Sequence, residues 1–112
     1  IISVNTETTV FQVAKMMEQG GIGAVLVKKD GHLSGIITDR DYATKIVSHN
    51  LPSNTPVEQI MSSPLITINC DESISAAAKR MTSKKIRKLA VTDNGKIIGL
   101  ITSTDLVTQL AK

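Results

Sequence analysis

Gly35-Ile36-Ile37-Thr38-Asp39-Arg40-Asp41 recurs as Gly99-Leu100-Ile101-Thr102-Ser103-Thr104-Asp105, and this doubled stretch decides how the chain is read. The offset is 64 residues, and at that offset residues 1–48 fall on 65–112 without a gap. Identities include Ile2/Ile66, Asn5/Asn69, Met17/Met81, Gly31/Gly95 and Thr44/Thr108, and pairs such as Val10/Ile74 and Leu33/Ile97 exchange like for like. A gapless internal repeat fixes the architecture as two similar units and predicts paired sites.

Working outward from the motif, each copy gives the order β-α-β-β-α. In repeat 1, Ile1–Val4 reads as a strand and Thr6-Glu7-Thr8-Thr9 as a helix start. Val10, Val13, Ala14 and Met17 follow at helical spacing, and Gly20-Gly21 closes the helix. Residues 23–28 and 32–38 are apolar, β-branched runs joined by Asp30-Gly31, a hairpin turn signal, and 39–49 is expected to be helical. Repeat 2 replays this with Ile74, Ala77, Ala78 and Met81 on its helix, strands at 65–68, 87–92 and 96–102, and Asn94-Gly95 in the turn. The expected class is α+β, with repeat 1 at 1–49, a linker at 50–61 and repeat 2 at 62–112. The linker carries a short helix over 56–61 that starts at Pro56.

The bulk numbers narrow the function. Of 112 residues, 41% are hydrophobic and 21% charged, ordinary for a globular domain with an aliphatic core. Phe11 and Tyr42 are the only aromatics, too few for a protein that binds single strands by stacking bases. The net charge of +3 accommodates a small anionic ligand as readily as nucleic acid. A lone Cys70 excludes a disulfide framework and fits a reducing cytoplasm, and no run approaches a membrane span. No His/Cys/Asp spacing suggests a metal, and neither a nucleophile–base pair nor paired carboxylates point to catalysis, so no catalytic residue, metal or cofactor is expected. His32 and His49 read as exposed turn and helix-end residues, and Cys70 as a small residue ahead of a helix.

Thr at a helix start with an acid three residues on is close to a capping box, which satisfies orphan N–H groups. Three features also favour a site: Asp stands where Glu or Gln is usual, a glycine three residues ahead permits close backbone approach, and both copies carry the motif. A helix N-terminus offers N–H groups and partial positive charge to phosphate, and a short carboxylate can accept hydrogen bonds from a ribose diol.

The β-α-β-β-α repeat with its Asp-Gly and Asn-Gly hairpins and Gly-x-Ile-Thr-x-x-Asp motif resembles a tandem pair of cystathionine-β-synthase (CBS) domains, a Bateman module. Residues 21–31, 85–95 and the lead-in Ile60-Met61-Ser62-Ser63-Pro64 carry further likeness, and the match covers essentially the whole chain. Leu26 and Ala90 depart from it, since the family often has proline there.

The resemblance implies that the repeats pack about a pseudo-two-fold axis, with adenine-containing ligands in clefts between them. It implies one cleft built from Ile2, Ile22, Gly23 and Ala24 with Thr102, Thr104 and Asp105. The other combines Met61, Ile66, Ile86, Arg87 and Lys88 with Thr38, Arg40 and Asp41. The second gathers the cations, with Lys84 and Lys85 nearby, and phosphate leaving water needs them. AMP, ADP or ATP is therefore expected there, and a weaker or less anionic adenosyl ligand in the first. The family also implies a homodimer and a regulatory role towards an enzyme or transporter. Two other readings stand beside this one: a sensor of S-adenosylmethionine or NAD, and a nucleic-acid-binding module using Lys84–Lys88. That basic stretch reads equally as a solvated loop and strand end.

Overall fold

The computed structural model describes residues 1–111. It divides into two units, Ile1–Leu65 and a second beginning at Ile66, each holding one three-stranded sheet. The first unit runs β1 (Ser3–Asn5), α1 (Val10–Gly20), β2 (Ala24–Lys29), β3 (His32–Thr38) and α2 (Asp39–Asp41), which continues as a π-helical turn, Tyr42–Val47. A 3-10 turn at Val57–Gln59 ends the linker. The second unit runs β4 (Thr67–Asn69), α3 (Ile74–Lys84), β5 (Lys88–Asp93), β6 (Lys96–Thr102) and α4 (Ser103–Leu110). The expected order holds in both copies.

In each sheet the middle strand pairs parallel with the first strand and antiparallel with the hairpin partner. The register is the same in both, down to a bulge after Val27 in one and after Val91 in the other. Asp30, Gly31, Asn94 and Gly95 all have positive φ, which is the turn chemistry that Asp-Gly and Asn-Gly supply. The hairpin return strands lie at the expected residues. The central strands begin and end one residue later than expected, and β1 and β4 sit one to two residues downstream.

Two departures have physical causes. Residues 39–49 do not form one α-helix: after one α turn the backbone widens to i→i+5 bonding, as in Ser48 N–H to Ala43 O at 3.2 Å. Pro56 is not inside the linker helix but caps it in an extended conformation (φ −65°, ψ 142°), leaving only a 3-10 turn behind it.

The linker belongs to the first unit's core. Val57 and Ile60 are buried with Val10, Val13, Val25, Val27, Ile37 and Ile46. The amides of Val10 and Phe11, at the start of α1, donate to Thr55 O (2.9 Å) and Ser53 O (3.1 Å), and Val57 N–H donates to Thr8 O (2.8 Å). Tyr42 donates its hydroxyl to Val10 O at 2.6 Å, and burial, reinforced by the Asp41 carboxylate, pushes its pKa up to about 12. The second unit's core is smaller: Ile68, Ala77, Met81 and Leu89, with Ile101 and Leu106 against them.

Helix ends show where the repeat has diverged. Gly21 closes α1 with φ 62°, and its counterpart Lys85 closes α3 at φ 56°, a left-handed position that costs a side-chain-bearing residue about 1–2 kcal/mol. Lys85→Gly is therefore expected to stabilise the second unit by about 1 kcal/mol, seen as a higher melting temperature. A lower one would mean that the lysine side chain makes a stabilising contact of its own.

Candidate functional site

Both Thr-x-x-Asp motifs sit where a hairpin strand turns into a helix, and both form caps. Thr38 N–H donates to Asp41 Oδ2 at 2.8 Å, with the Thr38 hydroxyl 3.4 Å from the same oxygen. Thr102 N–H donates to Asp105 Oδ2 at 2.8 Å, and Asp105 N–H returns a bond to Thr102 Oγ1 at 3.2 Å. The capping chemistry is thus present in both copies. A carboxylate has about four lone-pair sites, so one cap bond leaves capacity for a ligand hydroxyl.

The two copies differ in what surrounds the acid. Asp41 is only 7% exposed, and its Oδ1 lies 3.3 Å from Lys45 Nζ. That ammonium also donates to Ile60 O (2.9 Å) and Ser62 Oγ (3.2 Å), tying motif to lead-in. Asp105 is exposed, and Gln109 stands at the position of Lys45. The glycine ahead of each motif repeats the contrast. A Cβ on Gly35 would fall 2.6 Å from Met61 Sδ and 3.0 Å from Ser62 O, so only glycine admits the lead-in there. Ser62 and Ile36 exchange both backbone hydrogen bonds across it (2.9 and 3.1 Å). Around Gly99 the described residues leave open space.

The predicted site residues fall into local groups within the units. In the first unit the sheet sets Ala24 opposite Thr38, and Asp39 N–H donates to Gly23 O at 3.0 Å. Arg40 is exposed on the same helix start, Ile22 is half-buried next to Gly23 in sequence, Met61 lies on Gly35, and Ile2 O accepts Leu26 N–H at 3.0 Å. In the second unit Lys88 pairs with Thr102, and Ser103 N–H donates to Arg87 O at 2.9 Å. Thr104 is exposed on that helix start, Ile66 O accepts Ala90 N–H at 3.2 Å, and half-buried Ile86 packs on the unit's core. Each motif therefore has the start of its own central strand beside it: small and neutral in the first unit, basic in the second.

Sequence reasoning missed Lys45, whose signal was its spacing of four residues from Asp41 on a helix. It also placed no acid near Cys70. Burial, with Asp93 and Asp71 beside it, pushes this exposed thiol up, away from the reactive thiolate. Among the described residues no cluster of three His, Cys, Asp or Glu side chains could hold a metal ion, and no helix is long and apolar enough to cross a membrane.

Comparison with known proteins places this geometry in a family. The CBS domain model matches residues 1–48 and 57–112. The CBS domain-containing protein YhcV of Bacillus subtilis is 31% identical over 106 residues, covering 95% of this chain and 76% of YhcV. The solved structure of a protein with CBS domains from Burkholderia ambifaria is 38% identical at a TM-score of 0.91, covering 98% of this chain and 82% of that one. A CBS domain protein from Pyrobaculum aerophilum, PAE2072, solved in complex with AMP, shares the fold at a TM-score of 0.82 and 22% identity, covering 98% and 90%. Other curated relatives are much longer, this chain spanning 53% of one and 22% of another. Two copies of one β-α-β-β-α unit, each ending in a capped Thr-x-x-Asp, make this chain a member of the CBS-domain family, a tandem CBS pair.

Proposed function

We propose that this CBS pair is a regulatory module that senses an adenine nucleotide, AMP, ADP or ATP. The observation that carries the reading is the unequal placing of cations at equivalent positions of the two repeats. Arg87 and Lys88 begin the central strand of the second unit, where the first has Gly23 and Ala24, and Arg40 follows Thr38 where Thr104 follows Thr102. The proposed phosphate-binding set is Arg40, Arg87 and Lys88 with Thr38 and Asp41, the adenine resting on Met61, Ile66 and Ile86. Ile2, Ile22, Gly23 and Ala24 with Thr102, Thr104 and Asp105 form the less cationic counterpart. Guanidinium and ammonium groups compensate phosphate charge, while the carboxylates accept ribose hydroxyls. PAE2072's AMP complex supports the ligand class.

Ligand binding then acts by differential affinity for two packings of the module, in a cytoplasmic setting and towards an enzyme or transporter. A homodimer is part of the proposal, supported by the exposed apolar side chains Phe11 and Val47 on the first unit and Val107 on the second.

A thermal-shift panel of AMP, ADP, ATP, NAD and S-adenosylmethionine tests this. At a ligand concentration of one hundred times Kd, stabilisation of about 2.7 kcal/mol is expected for the adenine nucleotide. Arg87→Ala is expected to weaken that nucleotide about tenfold or more. A response to S-adenosylmethionine or NAD alone would replace the nucleotide reading. Nucleic-acid affinity falling steeply with salt, with no nucleotide shift, would favour the Lys84–Lys88 stretch as a nucleic-acid surface.

A further inference from the structure

Lys45 is the point where the first motif and the lead-in meet. Its ammonium has three N–H donors, and three acceptors are in place for them: Asp41 Oδ1 (3.3 Å), Ile60 O (2.9 Å) and Ser62 Oγ (3.2 Å). The lead-in does not depend on this contact for its position. Ser62 and Ile36 exchange both backbone hydrogen bonds, and Met61 fills the space over Gly35. What the ammonium adds is a fixed orientation of the Asp41 carboxylate relative to that segment. At the equivalent position the second repeat has Gln109, which carries no charge.

The orientation of a lone carboxylate is otherwise loose. The torsion that turns an aspartate's oxygens is broad and two-fold, so one hydrogen bond to one oxygen leaves the plane free to swing. Thr38 N–H holds Asp41 Oδ2 at 2.8 Å, and Lys45 holds Oδ1. With a donor on each oxygen the plane is set. A carboxylate has about four lone-pair sites, so about one remains on each oxygen, the Thr38 hydroxyl at 3.4 Å being the weaker claimant on Oδ2. Two acceptors side by side in a fixed plane match a vicinal diol, whose hydroxyls donate in parallel.

We propose that Lys45 is a positioning residue for ligand recognition: it sets the Asp41 carboxylate in the plane that accepts both ribose hydroxyls, and ties that plane to the lead-in carrying Met61. This role rests on the proposed reading of Asp41 as a ribose acceptor and of Met61 as an adenine contact. Orienting the carboxylate before the ligand arrives removes the cost of ordering it on binding. Lys45 acts through Asp41, so its effect shows only with ligands that carry the diol.

Calorimetric titration of AMP and ATP, each beside its 2′,3′-dideoxy form, into wild type and Lys45→Met tests this. Wild type is expected to prefer the hydroxylated form about tenfold or more, because hydrogen bonds to a charged acceptor are the stronger kind. In Lys45→Met that preference is expected to fall to about threefold or less, while affinity for the dideoxy form stays within about threefold. The lost positive charge weakens both forms alike, so the ratio is free of it. Asp41→Asn is expected to lower the ratio to the same level, with no further drop when Lys45→Met is added. Melting curves show which variants are folded. Lys45→Gln, which keeps a donor without the charge, carries the same comparison if Lys45→Met does not fold. A preference retained in the folded variant, or affinity lost equally for both forms, overturns the positioning role and leaves the nucleotide reading standing. Wild-type protein that binds nucleotide without preferring the hydroxylated form overturns it too, by removing Asp41 from the ribose. Absence of binding by either nucleotide removes the nucleotide reading itself, and this role with it.

Discussion

Asp41→Ala is expected to destabilise the first unit by about 2–3 kcal/mol, against about 1 kcal/mol in the second unit for Asp105→Ala, measured by urea unfolding. The motif letters are identical, so the difference comes entirely from surroundings. Removing the Asp41 carboxylate strips the Thr38 amide of its acceptor and Lys45 of its counter-charge at a place only 7% exposed. Breaking a fully buried pair costs about 3–5 kcal/mol; the Lys45 side chain is 38% exposed, and solvent screening reduces the figure. Asp105 loses a cap in the open, where water replaces it. Asp41→Asn keeps an acceptor for the amide and should recover roughly half of the loss. Equal costs at the two positions would show that the Lys45 contact contributes nothing. The same asymmetry bears on ligand binding: a loss of nucleotide affinity on removing Asp41 is meaningful only in protein shown to be folded, which makes Arg87 the cleaner probe.

Val57→Asp is expected to unfold the first unit. Val57 has no exposed surface, lies among seven other buried aliphatic side chains and holds Thr8 O through its amide. A carboxylate there is surrounded by aliphatic side chains, and burying it costs at least about 4–5 kcal/mol, much of the stability of a small domain. Val57→Ala, which only removes two methyl groups, should cost about 1–2 kcal/mol. Amide hydrogen exchange of β2 and β3 reads the outcome directly, since these strands lose protection only if the linker is integral to the core. Native protection in Val57→Asp would show the linker to be a dispensable cover.

The fold was legible where a short-range rule determines it. Asp30-Gly31 and Asn94-Gly95 permit the positive φ that a tight hairpin needs, so the return strands fall at 32–38 and 96–102 as expected. The apolar spacing of Val10, Val13 and Met17 shows a helix because the period is local. What escaped depends on partners distant in sequence. Nothing in Leu51-Pro52-Ser53-Asn54-Thr55 announces that its carbonyls receive the first amides of α1, so the linker read as a connector rather than core. From the π-helical turn after Asp41, Tyr42 reaches Val10 and Lys45 reaches Ile60, contacts that no helical pattern contains. Likewise the motif was visible, but the depth of Asp41 was not, because burial is supplied by the lead-in packed on Gly35.

The shared register of the two sheets has a kinetic consequence. Because β1 and β4 meet their central strands with the same offset and each hairpin bulges at the same place, the backbone alone would let β1 pair with β5 as well as with β2. The tether discriminates first. Closing the loop from Thr6 to Arg87 rather than to Gly23 means a loop roughly four to five times longer, costing about 1.3 kcal/mol more and making wrong encounters roughly tenfold rarer. Side chains must reject the remainder, and the reversal from Lys29 to Asp93 does so: a misplaced second hairpin would bring Asp93 towards Glu58, charge against like charge. Divergence between the copies thus acts as proofreading for a chain that contains its own competitor.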